Sequence, residues 1–142
     1  MAIDLNSDLE VLAATISGEA ESEPLSGKQA VALSVLNRVK AAKIHPHFGD
    51  GTVRGACLAP SQYSCWLPGP DRDRIVALDL SKPYPALKDC IIVAKSALAG
   101  ALNDFTEGAT YYFAQSIPAP SWVVGAMFCG LFGTQLFWRN VK

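Results

Sequence analysis

The chain has 142 residues, half of them apolar, and a formal net charge of −1. That length suits one domain over residues 1–142, and the apolar share excludes a disordered chain. No basic excess exists to meet nucleic-acid phosphates or an anionic membrane, and no apolar stretch reaches the roughly 18 residues of a membrane span.

Ser7-Asp8-Leu9-Glu10 has the form of a capping box, and Leu9, Leu12 and Ile16 follow at helical spacing. This predicts a helix over 8–20, with Pro24 discouraging continuation. Ser26-Gly27-Lys28-Gln29 repeats the capping-box form and predicts a second helix to about residue 41. Its apolar band, with Val31, Val35 and Val39 on one line and Ala32, Leu33 and Leu36 beside it, is wide enough for a central, mostly buried helix. Glycines and prolines punctuate residues 44–84, which read as a long irregular region with one short helix near 73–80. Pro85 opens a third helix to about residue 99, stopped by Gly100. After Asn103, residues 109–114, 122–129 and 135–141 read as short strands. The sum is α+β, with N-terminal helices and a small C-terminal antiparallel sheet.

Glu19 is the most informative residue. Steps of four and three from Leu12 through Ile16 place it on the apolar face of the first helix, at the helix's exit. A carboxylate on the core side loses water, which is the setting of a general acid that works near neutral pH. The alternative is a structural Glu satisfied by a cap contact or an ion pair. Glu23 lies past the helix end, where it would cap the second helix or lie across a cleft; Glu21 reads as a solvated charge. Asp71 and Asp73 alternate with Arg72 and Arg74 in a charged run that suits a solvated loop, and Asp104 suits a turn.

His45 and His47 flank Pro46, but no third metal ligand accompanies them, so no metal site is expected. Cys57, Cys65, Cys90 and Cys129 form no Cys-x-x-Cys pair. They read as free or buried thiols, with a Cys57–Cys65 bridge as the alternative in an oxidising compartment. Residues 1–10 carry Asp4, Asp8 and Glu10 and no Lys or Arg, so no secretory signal is read there. Action outside the cytoplasm would then need another export route, such as a phage holin, or a trimmed chain.

Several blocks resemble the SleB/CwlJ cell-wall hydrolases. Ile16-Ser17-Gly18-Glu19-Ala20-Glu21-Ser22-Glu23-Pro24, Gly27-Lys28-Gln29-Ala30-Val31-Ala32 and Val35-Leu36-Asn37-Arg38-Val39 resemble the family's opening. Gln62-Tyr63-Ser64 is similar to its Gln-Phe-Ser, and Asp104-Phe105-Thr106-Glu107-Gly108-Ala109-Thr110-Tyr111-Tyr112-Phe113 to its Asp-Pro-Thr-x-Gly-Ala-x-Tyr-Phe. Gly133-Thr134-Gln135-Leu136-Phe137-Trp138-Arg139 resembles its Gly-Asn-His-x-Phe-Tyr-Arg. The blocks run in order over residues 9–139. Departures are Glu21 for a basic residue, Ser22 for glycine, Phe105 for proline and Gln135 for histidine.

The resemblance implies a lysozyme-like α+β fold, peptidoglycan glycan strands as partner, and cleavage between N-acetylmuramic acid and N-acetylglucosamine at the cell wall. It implies a lytic transglycosylase that needs no cofactor and uses one catalytic Glu, which falls on Glu19. Gln62 and Ser64 are candidates to orient Glu19 or hold an N-acetyl amide. Tyr63, Trp66, Tyr111 and Tyr112 are candidates to line the groove, with only one of Tyr111 and Tyr112 expected there because neighbours on a strand face opposite ways. Trp122 and Trp138 are expected in the core. Alternatives are a muramidase-type hydrolase such as a phage endolysin, a non-catalytic peptidoglycan-binding module, and a cysteine-dependent amidase.

Overall fold

The computed structural model describes residues 2–142. Helix α1 spans Asp8–Ala20, α2 Leu25–Ala41, α3 Val53–Leu58, α4 Pro70–Val76 and α5 Pro85–Leu98. Strands β1 (Tyr111–Ala114), β2 (Met127–Phe132) and β3 (Gln135–Arg139) form an antiparallel sheet in the order β1-β3-β2. The fold is α+β, with the helices first, as the sequence predicts.

Helix α1 is the hub. Residues Val11 through Ser17 are all buried, and α2, α3, α4 and α5 pack around them. Its start follows half of the expected capping box: the Ser7 hydroxyl accepts the Glu10 N–H at 3.2 Å, a contact worth ~1 kcal/mol, while the Glu10 side chain accepts from the Asp4 N–H at 3.2 Å rather than from Ser7. The second expected cap does not form. Helix α2 begins two residues earlier, with Pro24 as N-cap and no side-chain bond, so Ser26 already lies inside the first turn. Proline fixes φ at a value that suits a helix entrance, so this start needs no serine.

Residues 44–84 hold more structure than the one short helix expected there. A 3-10 turn at Pro46–Phe48, α3, a second 3-10 turn at Ser64–Trp66 and α4 occupy it. These elements are too short to show a period, and each is held by tertiary contact instead. Val53, Ala56, Cys57, Tyr63, Cys65 and Ile75 from this stretch enter the main core. The short helix predicted near 73–80 is α4, which starts earlier because Pro70 takes its first position.

A smaller core joins the sheet to the helices: Ala20, Ala30, Val31, Ala109 and Phe137, with Tyr112, Cys129 and Phe132 against it. Two buried polar residues of α2 fix the sheet in place. Asn37 donates to the Asp104 carboxylate at 3.0 Å and to the Ala109 carbonyl at 2.9 Å. Arg38 Nε donates to the Thr110 carbonyl at 2.7 Å. Asp104 anchors the turn before β1 by accepting from Thr106 and from the Gly108 N–H. Partial burial acts to raise the Asp104 carboxyl, but these bonds and that from Asn37 outweigh it and hold it below its usual range. A lowered carboxyl adds stability above its unfolded pKa of about 4, and that stability is lost as pH falls through the folded value. Acid titration of Asp104→Asn beside the wild type is expected to show a shallower stability loss for the variant below about pH 4.

The β2–β3 hairpin turns at Gly133, which takes φ 63°. This is the first of two turn residues, where a II′ hairpin turn favours glycine. The Glu23 side chain accepts from Thr134 N–H at 2.9 Å and Thr134 Oγ1 at 2.6 Å. Glu23 therefore ties the hairpin to the α1–α2 junction, rather than capping α2 or crossing a cleft.

Candidate active site

Leu12 and Ile16 are fully buried, and Glu19 continues their face into a half-buried position in the last turn of α1. Three donors from two other elements meet its carboxylate. The Tyr112 hydroxyl donates to Oε1 at 2.5 Å. The Cys65 N–H donates to Oε2 at 3.1 Å, and the Ser64 hydroxyl reaches the same oxygen at 3.4 Å. All three donors are neutral, so they fix the carboxylate's direction without an ion pair. Burial, and then the charge of Glu19, push the Tyr112 phenol well above its usual range, so it remains a donor at any working pH.

Helix α1 can approach the Ser64–Trp66 turn because residue 18 is glycine. A Cβ built there would lie 2.6 Å from Cys65 Cβ and 2.8 Å from its sulfur. The glycine before Glu19 thus sets the distance at which the Cys65 amide reaches the carboxylate.

Glu19 opens onto a groove of about 580 Å³ between this turn and β1. Gln62 and Ser64 line one wall, residues 111–114 the other, and Ile117, Trp122 and Gln135 complete it. Among the described residues lining it, Glu19 is the one acid. Asp104 is not among them and is occupied in its turn.

Several expected groove residues are placed differently. Tyr63 is buried at 2 % exposure, its hydroxyl 3.0 Å from Ser34 Oγ, so it supports the wall from behind. The aromatic ring fills the space between α2 and the 3-10 turn, where alternation along a loop gave no guide. Trp66 donates from its indole N–H to Thr15 Oγ1 at 2.9 Å and packs on the main core. Both Tyr111 and Tyr112 line the groove, because β1 is an edge strand and the groove wraps around that edge. Trp122 also lines it, and is half-buried in a 3-10 turn at Ser121–Val123 rather than in a strand. Trp138 is half-buried on the outer sheet face among Phe113, Trp122 and Phe128. Gln62 does not touch Glu19: its oxygen accepts from Arg38 Nη1 at 2.9 Å and its nitrogen donates to the Pro60 carbonyl at 3.3 Å. Glu21 is not a free surface charge. It accepts from Ser17 at 2.8 Å and Tyr84 at 2.5 Å and lies 3.6 Å from Arg74.

Arg38 is a groove residue not among the candidates expected from the sequence, although it lies within Val35-Leu36-Asn37-Arg38-Val39. It is 3 % exposed, lines the groove, and lies 4.7–4.9 Å from the ring centres of Phe48, Tyr63 and Tyr111. Guanidinium stacks well on aromatic faces, so rings rather than a carboxylate enclose this cation.

All four cysteines are free, and Cys57, Cys65 and Cys90 are buried. Burial pushes the Cys57 and Cys90 thiols up to about 12 and raises Cys65 further, aided by the nearby Glu19 charge. A thiol so raised is a poor nucleophile. Iodoacetamide at neutral pH is expected to label half-buried Cys129 first, read by intact mass, and to leave cell-wall cleavage unchanged. Loss of activity in step with labelling would return the amidase reading.

The profile of the cell wall hydrolase family matches residues 22–138. The chain belongs to the cell wall hydrolase family. It is therefore a peptidoglycan-degrading enzyme that acts on the cell wall. The family match begins three residues beyond Glu19 and contains Asn37, Arg38, Gln62 and the sheet up to Trp138, one residue short of the end of β3. Two solved structures resemble this hydrolase. One is the catalytic domain of the germination-specific lytic transglycosylase SleB from Bacillus anthracis. It has a TM-score of 0.68 and 26 % identity, and the match covers 93 % of each chain. The other is the SleB catalytic domain of Bacillus cereus, with the same score and identity, over 93 % of this chain and 89 % of that one. No curated protein gives a sequence match.

The short Tyr112–Glu19 bond gives a direct expectation. Tyr112→Phe removes one donor and little volume, and is expected to lower turnover about 10- to 100-fold, the usual scale for a hydrogen bond to a charged group. Sacculus-clearing rates beside an unchanged melting profile would measure it.

Proposed function

We propose that this cell wall hydrolase is a lytic transglycosylase that cuts the glycan strand between N-acetylmuramic acid and N-acetylglucosamine, with Glu19 as its single acid and base. The observation that carries the reading is a groove with one carboxylate, aimed by three neutral donors. The lytic transglycosylase named among the similar structures supports it. A glycosidase of the two-carboxylate type needs a second acid about 5–10 Å from the first. Among the described groove residues none offers it.

In this mechanism Glu19 in its acid form gives its proton to the glycosidic oxygen, and the bond from that oxygen to the muramic anomeric carbon breaks. The sugar passes through an oxocarbenium-like state. The Glu19 carboxylate then takes the proton of the muramic C6 hydroxyl, and that oxygen bonds to the anomeric carbon. The products are an N-acetylglucosamine end and a 1,6-anhydro-muramic end. Glu19 finishes protonated, as it began, and no water is consumed. Tyr112, Ser64 and the Cys65 amide keep one oxygen geometry through both proton transfers, and such positioning supplies much of the rate.

Digestion of sacculi in water enriched in heavy oxygen tests the reaction type. The new ends are expected to carry no solvent oxygen. Heavy oxygen at the new reducing end would instead make the enzyme a muramidase-type hydrolase.

A further inference from the structure

We infer that Gln135 recognises the N-acetyl group of the bound sugar through its side-chain amide, an inference that rests on the groove being a glycan site. Gln135 opens β3 and pairs with Ala114 on β1. Paired residues share a sheet face, so Gln135 stands on the same side as Phe137 and Tyr112, whose rings stack with centres 4.9 Å apart. Tyr112 is the residue that holds Glu19, and Gln135 lines the same groove.

Among the described residues the Gln135 oxygen has no hydrogen-bond donor, and it is closed to solvent, so a turn of the carboxamide is what brings it to a ligand in the groove. An unmet buried acceptor is costly, so native proteins seldom keep one without a use. The Thr134 N–H, its neighbour in the chain, is already given to Glu23. The other groove carboxamide is unavailable, since both ends of Gln62 are bonded, to Arg38 and to Pro60. Gln135 is thus left to meet a ligand.

What it suits is a secondary amide. A carboxamide offers one acceptor and two donors in a plane, and an N-acetyl group returns one N–H and one carbonyl. A peptide bond of the stem has the same chemistry. The N-acetyl group is favoured because it sits on the ring carbon next to the anomeric carbon, and so lies within one sugar of Glu19. A carboxylate ligand is not favoured here. The groove's buried cation, Arg38, bonds Thr110 beside Tyr111, at the opposite end of β1 from Ala114.

The test measures binding by tryptophan fluorescence, with Trp122 in the groove as reporter. The ligands are a β-1,4-linked N-acetylglucosamine tetramer, its fully de-N-acetylated counterpart, and a stem peptide free of sugar. Wild type is expected to prefer the N-acetylated tetramer by about 10-fold or more, the scale of one well-made hydrogen bond. Gln135→Leu should lose that preference, and Gln135→Glu should turn it toward the free-amine tetramer, since a carboxylate pairs with ammonium. Equal binding of both tetramers by wild type, an unchanged preference in both variants, or capture of the stem peptide alone would overturn the inference. Sacculus cleavage by the same wild-type sample judges the glycan-cleaving reading separately.

Discussion

Replacing Glu19 with Gln is expected to lower glycan cleavage by about 10³-fold while the protein stays folded. Glutamine has nearly the same shape, but it neither gives nor takes the proton that the proposed reaction moves twice. The fold should survive because Glu19 is only half-buried and contributes no ion pair to the core. One donor must lose its acceptor. The carboxylate accepts on both oxygens, and an amide has one, so the NH₂ group faces Tyr112, whose hydroxyl oxygen can accept from it while its proton loses its partner, and the amide oxygen keeps the Cys65 N–H. Leaving one such donor unmet costs about 1–3 kcal/mol, small beside the stability of a domain with a buried central helix. Clearing of sacculi measures the activity loss, and a cooperative melt checks the fold. A variant within a few-fold of wild type would remove Glu19 from the chemistry.

Gly18→Ala is expected to reduce activity by about 10²-fold and to destabilise the protein, although alanine is the better helix former. Helix propensity favours alanine by about 1 kcal/mol. Against it, the new Cβ would sit 2.6 Å from Cys65 Cβ, and overpacking of this kind costs about 1–3 kcal/mol. The obstacle is not the end of a flexible chain, because Cys65 Cβ is fixed to the backbone whose N–H bonds Glu19. The 3-10 turn must move away from α1, and Ser64 and Cys65 move with it. A shift near 1 Å at a catalytic group is enough for a 10²-fold loss. Equal turnover and equal melting temperature in the alanine variant would show that the turn yields freely.

Most of the helical frame was legible because its signals are local. The Ser7 cap, the apolar spacing through Leu12 and Ile16, and Pro85 with Gly100 define α1 and α5 nearly to the residue. The half-buried placement of Glu19 followed from the same spacing. Residues 44–84 resisted, because their short helices are held by contacts to α1 and α2 that no window of sequence contains. The same limit hid the parts of the site that depend on distant partners. Tyr63 looked like a groove aromatic but turns inward to Ser34, and Gln62 is taken by Arg38 across 24 positions. Trp122 looked like core, yet it borders the groove because the chain before β2 forms a 3-10 turn instead of extending the strand. Arg38 could have been singled out from sequence alone as a cation inside the apolar band of α2. Such a residue must either be solvated or meet a special partner, and here it meets three rings.

Mass spectrometry of muropeptides from purified sacculi, digested by wild type and by Glu19→Gln, tests the central claim most directly. The account predicts anhydro-muramic ends from the wild type, and their absence from the variant at equal enzyme and time. Anhydro ends formed equally by the variant would contradict it.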